Sequence, residues 1–141
     1  MSVEANKAIA AAVVERVMNQ GDLEAVEEYY AGDYVEHDVL PPSIPPGLEG
    51  MKQLFRTLRA AFPDLHYDIE DVVADGDRVV QRVTGRGTLR GPFFGLPATG
   101  RSASWSEIHI SRFAGGRVVE HWSVTDQLGM LQQLGVASDR R

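Results

Sequence analysis

Leu65-His66-Tyr67-Asp68-Ile69-Glu70 alternates apolar and polar side chains with a period of two, and Asp75-Gly76-Asp77 follows it as a hairpin turn. That spacing puts Leu65, Tyr67 and Ile69 on one face of a strand and His66, Asp68 and Glu70 on the other. Arg78 to Leu89 then reads as a long strand rich in Val and Thr, with Gly85 and Gly87 as expected bulge or bend points. The loop Gly91-Pro92-Phe93-Phe94-Gly95-Leu96-Pro97 precedes a third strand, Ser102 to Phe113. Ala114-Gly115-Gly116-Arg117 turns it back into a fourth, Val118 to Thr125. The second half of the chain is therefore an antiparallel meander.

The period changes upstream. Ser2 can cap a helix in which Ile9, Val13, Val14 and Val17 share a face, with Gly21 after its end. Asp22 is a ready N-cap for a short helix from Leu23 to Tyr30. Asp33 to Asp38 is extended and runs into Pro41-Pro42-Ser43-Ile44-Pro45-Pro46-Gly47, which suits neither helix interior nor central strand. From about Gly50, Met51, Leu54, Phe55, Leu58 and Phe62 recur at helical spacing until Pro63 stops them. A last helix carries Leu128, Leu131 and Leu134 and stops at Gly135. Helices followed by a meander predict an α+β fold, with the helices on one face of a sheet of four or more strands. A long sheet with Gly bends can curl around them and leave a pocket between the layers. One domain is expected over residues 1–137, with 138–141 as a disordered tail.

Composition narrows the chemistry. The chain has 141 residues and no cysteine, which removes thiol nucleophiles, disulfides and thiolate metal sites. With 14 Lys+Arg against 20 Asp+Glu the net charge is −6, which argues against nucleic acid or an anionic membrane as a partner. The longest apolar run, Ala8 to Val14, is far shorter than the roughly 20 residues that span a bilayer, and a cytoplasmic protein is expected.

Catalysis without thiols or metal falls to imidazole and carboxylate. No two of the four histidines stand at His-x-x-x-His or His-x-His spacing, so no metal or other cofactor is expected. His66, on the polar side of its strand, reads as solvated. His121, opposite Trp122 in the pleat, reads as outward or interfacial. His109 sits mid-strand with Trp105 and Glu107 among its same-face neighbours, either as a satisfied core histidine or as a pocket acid. His37 lies where the extended segment meets the proline loop. Asp126 can cap the last helix, or serve as a general base beside the aromatic wall of Trp122. Arg82 and Glu120 can form a structural ion pair in the sheet. No phosphate-binding glycine loop and no Gly-x-Ser-x-Gly elbow occurs.

Eight segments in order carry a resemblance. They are Phe62-Pro63-Asp64-Leu65, Asp75-Gly76-Asp77-Arg78-Val79, Arg86-Gly87-Thr88, Gly95-Leu96-Pro97-Ala98-Thr99-Gly100, Arg112-Phe113, Gly116-Arg117-Val118-Val119-Glu120-His121-Trp122, Asp126 and Gln133-Leu134-Gly135. Together they resemble the SnoaL-like polyketide cyclases, or predicted ester cyclases, of the nuclear transport factor 2-like (ketosteroid isomerase-like) superfamily. The resemblance implies a cone-shaped α+β barrel around an apolar pocket and a cofactor-independent intramolecular aldol ring closure. In that chemistry an aspartate takes a proton from the carbon next to an ester, and a strand histidine helps hold the enolate oxygen. His109 matches that histidine. Relatives commonly show Glu-x-Trp-Asp-x-x-Asp at the end of the last strand, whereas this chain has Ser123 at the first aspartate. Leu89 stands where many relatives have histidine.

The resulting expectation is Asp126 as base and His109 as oxyanion partner. His37, Trp105, Trp122, Glu107 and Ser123 would line the pocket around a small apolar or aromatic polyketide-like substrate, in a homodimer. Two alternatives use the same scaffold. One is epoxide hydrolysis or epoxide-opening cyclisation by Glu107, Asp126 and Arg82; the other is a non-catalytic small-molecule-binding domain.

Overall fold

Odd-numbered residues of the strand after the Asp75-Gly76-Asp77 turn, Val79, Gln81, Val83, Gly85 and Gly87, are buried, and Arg82 and Arg86 between them are exposed, as the period-two reading requires. A computed structural model describes residues 2–137; the expected tail lies outside the described residues. The strands are β1 (Tyr30–Glu36), β2 (His66–Asp75), β3 (Arg78–Thr88), β4 (Ser102–Ala114) and β5 (Arg117–Thr125). They form one sheet in the order β1-β5-β4-β3-β2. The meander is antiparallel throughout, but β1 pairs with β5 in parallel, so the sheet is mixed rather than antiparallel. The extended segment before the proline loop is thus a fifth strand, at the edge of the sheet opposite β2.

Helix α1 (Val3–Ala12) begins where Ser2 Oγ accepts from the Ala5 amide at 3.0 Å. It continues as a π-helix over Val13–Asn19, which ends at Gly21 with φ +73°. Asn19 at the end of this wide turn binds the backbone of Tyr67 twice, accepting from its N–H at 2.7 Å and donating to its C=O at 3.0 Å. Asp22 makes no cap hydrogen bond. It accepts instead from Arg16 at 2.8 Å, and Arg16 also reaches Glu28 and the Tyr29 hydroxyl. A 3₁₀ turn (Leu23–Ala25) leads into α2 (Val26–Tyr29). Helix α3 runs over Gly47–Ala61, starting three residues before the expected Gly50, and α4 over Gln127–Leu134. Among the described residues no helix is long and apolar enough to cross a membrane.

Gly85 and Gly87 are not bulges, since β3 and β4 pair without interruption from Arg78↔Arg112 to Thr88↔Ser102. They are approach points. A Cβ on Gly85 would lie 2.7 Å from the Trp105 indole, and one on Gly87 would lie 2.9 Å from the Phe62 ring. Phe62, fully buried, packs its ring 5.5 Å from those of Trp105 and Phe93, and truncating a core ring of this kind typically costs about 3–5 kcal/mol. The bulges lie elsewhere: Glu70 is the extra residue in β2, and Val119 is the extra residue in β5.

The Val119 bulge decides which side chains face the helices. At the hairpin end Phe113 pairs with Val118, but beyond it Arg112 pairs with Glu120 and His109 with Ser123. Without the extra residue His109 would stand opposite Trp122, and every later side chain of β5 would change faces. With it, His121, Ser123 and Thr125 turn inward and Glu120, Trp122 and Val124 turn outward. The expected orientations of His121 and Trp122 are therefore reversed in the structure.

Candidate active site

Between the inner face of the sheet, helices α3 and α4 and the two loops 38–41 and 93–96 lies a pocket of about 630 Å³. Its roof is apolar, with Leu54, Phe55, Leu58, Phe93, Met130 and Leu131. Its polar wall comes from three adjacent strands: Glu36 and Asp38 at the end of β1, His121 and Ser123 from β5, and Glu107 and His109 from β4. Each set repeats at i, i+2 because alternate strand residues share a face.

These groups form a continuous chain. Glu107 accepts from the Trp105 indole N–H at 2.7 Å through Oε2, and its Oε1 lies 2.7 Å from His109 Nε2. His109 Nδ1 is 2.9 Å from His121 Nε2, and His121 Nδ1 is 2.7 Å from Glu36 Oε2. For all three contacts of Glu107, His109, His121 and Glu36 to be hydrogen bonds, three protons must be shared among the four groups. Two carboxylates and two imidazoles with three protons carry a net charge of −1. The contacts stay intact if the protons shift together along the chain, so the wall can exchange a proton at either end. Both ring nitrogens of His109 are engaged, so a substrate oxygen takes an N–H from it only by displacing Glu107 or His121.

Two tyrosines flank the ends. Burial, reinforced by nearby Glu36, pushes the Tyr34 phenol far above its ordinary pKa, and burial together with Glu107 does the same to Tyr67. Both stay protonated and able to donate. Asp38 is held from β5: the Ser123 amide donates to Oδ1 at 2.6 Å and the Ser123 hydroxyl donates to Oδ2. Glu36, Asp38 and His121 place ligand-type atoms within 4.8 Å of one another, the kind of trio that can hold a cation. Here the hydrogen bonds within the wall account for that closeness.

Trp105, Glu107, His109 and Ser123 line this pocket, whereas Asp126, His37 and Trp122 do not. Asp126 is exposed at the N-cap of α4, where its Oδ1 accepts from the Gly129 amide at 3.0 Å, and it does not line the pocket. His37 and Trp122 lie on the outer face, their rings stacked 4.6 Å apart, with His37 Nε2 2.8 Å from Glu120. Arg82 is outside as well, bound to Asp71 at 2.7 Å, so the arginine and the two carboxylates of an epoxide-opening site are not assembled. Glu120 pairs with Arg112 at 2.6 Å rather than with Arg82. His66 is half-exposed beside Asp68, which is bound in turn by Arg86.

A family model described as SnoaL-like polyketide cyclase matches residues 8–134. The chain belongs to this family. It is 30% identical to the nogalonic acid methyl ester cyclase of Streptomyces nogalater over 119 residues, covering 83% of this chain and 88% of that one. It is 29% identical to the aklanonic acid methyl ester cyclase DnrD of Streptomyces peucetius over 120 residues, covering 83% and 82%. Among solved structures, IdmH of Streptomyces antibioticus is 38% identical with a TM-score of 0.79, covering 93% of this chain and 99% of that one. TsrD of Streptomyces laurentii is 28% identical with a TM-score of 0.87, covering 97% and 99%. Within this SnoaL-like chain, Glu36, Asp38 and His121 are the pocket groups that the sequence reading missed. The signal lay in Tyr34-x-Glu36-x-Asp38, an alternation that puts all three on the face opposite His37 and Val35.

Proposed function

We propose that the chain is a cofactor-independent cyclase that closes a carbocyclic ring by intramolecular aldol addition on a polyketide-type ester. One observation carries this reading: the carboxylate–imidazole chain Glu107–His109–His121–Glu36 forms one wall of a pocket whose opposite side is apolar and aromatic. A carboxylate of that wall takes a proton from the carbon next to the ester. The electron pair left behind, held as an enolate, attacks a carbonyl carbon of the same molecule. The new C–C bond pushes the carbonyl pair onto oxygen, which takes a proton, so the product is an isomer of the substrate. Proton transfer by positioned side chains supplies about 10²–10⁴-fold of rate, and donors aimed at the developing oxyanion supply more. His109 becomes such a donor when the substrate oxygen displaces His121 from its Nδ1. A non-catalytic binding domain fits less well, because three carboxylates that face the cavity are arranged around imidazoles or a hydroxyl.

Nogalonic acid methyl ester and aklanonic acid methyl ester, named for the relatives, are the first substrates to offer. Ring closure should give a product of unchanged mass and new chromatographic retention, absent from a boiled control. Conversion of neither ester removes these two methyl esters as substrates.

A further inference from the structure

Ser123 faces the pocket from β5, and its amide and hydroxyl both bind one carboxylate, Asp38. We propose that Asp38, supplied by the segment after β1 and held by Ser123, is the base of the ring closure. The inference rests on the ring-closing reading above and names the group that begins it.

Three inner carboxylates are candidates, and their surroundings separate them. The Glu107 side chain is 9% exposed, with one oxygen taken by Trp105 and the other by His109. Glu36, 16% exposed, lies with both oxygens against His121 Nδ1, and Oε2 also accepts from the Asp38 amide at 3.3 Å. Asp38 is the most open at 22%, and both its side-chain donors come from one residue, Ser123. Ser123 thus clamps Asp38 to the β5 backbone and leaves the carboxylate at the pocket wall. The charged and titratable groups facing Asp38 are Glu36, His121 and Tyr34, with His121 Nδ1 3.9 Å from Oδ2. After Asp38 takes the carbon-bound proton, it returns it to the new alkoxide.

The test uses Asp38→Asn, which keeps the shape and an acceptor for Ser123, and the double variant Asp38→Asn/Ser123→Asp, which returns a carboxylate to β5. The first probe is the conversion of the two methyl esters. Asp38→Asn should lose at least ~100-fold of turnover, and the double variant should recover most of it. The second probe, independent of turnover, is binding of 1,8-dihydroxyanthraquinone above its phenol pKa, read by its visible absorbance. Its phenolate resembles the enolate, and the neutral side-chain amide of the variant resembles the protonated base, so Asp38→Asn should bind it about tenfold tighter or more. Unchanged dye affinity in Asp38→Asn, or turnover within a few-fold of wild type, overturns the assignment even where wild type is active. A wild-type protein that neither binds the dye nor converts either ester removes the ring-closing reading, and the base falls with it.

Discussion

Two histidine–carboxylate pairs sit on opposite faces of the same sheet at nearly the same distance. His109 and Glu107 are 2.7 Å apart on the inner face; His37 and Glu120 are 2.8 Å apart on the outer one. The side chains of the first pair are 17% and 9% exposed, those of the second 38% and 22%. Contact geometry is thus nearly the same and the surroundings are not. Inside, the pair continues into His121 and Glu36 and faces an apolar roof that weakens screening. Outside, the pair shares Glu120 with Arg112, stacks on Trp122 and meets water, where such an ion pair contributes little. A close pair becomes chemistry only when the fold withholds solvent and supplies a second partner.

Deleting Val119 should break the comparison most severely. Without the bulge, β5 must either turn Trp122 and Glu120 toward the helices or lose its register with β4. The expected result is a fall in melting temperature of at least about 10 °C together with loss of ring closure, read by circular dichroism and by the ester assay. A variant that kept both would show that the bulge does not set the faces.

Exchanging the histidines singly is the next step. His109→Gln should lower turnover by about 100-fold, while His37→Gln should stay within about threefold. Equal losses would erase the distinction between inner and outer pairs.

The smallest effect is on stability against pH. Hydrogen bonds from His37 first and from Arg112 second hold the Glu120 carboxyl below its ordinary range. A carboxyl depressed in the folded state stabilises the protein above its unfolded pKa of about 4.3 and loses that contribution as the pH falls. The melting temperatures of wild type and Glu120→Gln should therefore differ near neutrality and converge in acid. A gap that persisted or widened in acid would assign the difference to packing against Trp122 instead.

Much of the fold was legible because it rests on short-range rules. The helix over Gly47–Ala61 and the four meander strands follow from spacing, and Ser2 and Asp126 cap helices as their types favour. The site was legible only in part, because it depends on parity. Trp105, Glu107 and His109 lie on one uninterrupted strand, so their common face could be read directly. The faces of His121 and Trp122 depend on one extra residue in β5, and nothing in Val118-Val119-Glu120 marks it, since bulges need no special residue type. His37 illustrates the same limit from the other edge: the proline loop pointed to the right segment, but its neighbours Glu36 and Asp38 are the ones that turn inward. Parallel pairing between residues about 85 apart is also invisible to any local pattern.

The double hydrogen bond from Asn19 to the Tyr67 backbone has a consequence at the rim of the sheet. β2 is an outermost strand, and its free amides and carbonyls would otherwise invite another chain to pair there. A primary amide offers one donor and one acceptor side by side, as a strand residue does, so Asn19 imitates a neighbouring strand one residue long. It does so at Tyr67, whose ring lies against Trp105 and lines the pocket. At that residue the cavity wall and a position open to edge-on aggregation are closed by the same side chain.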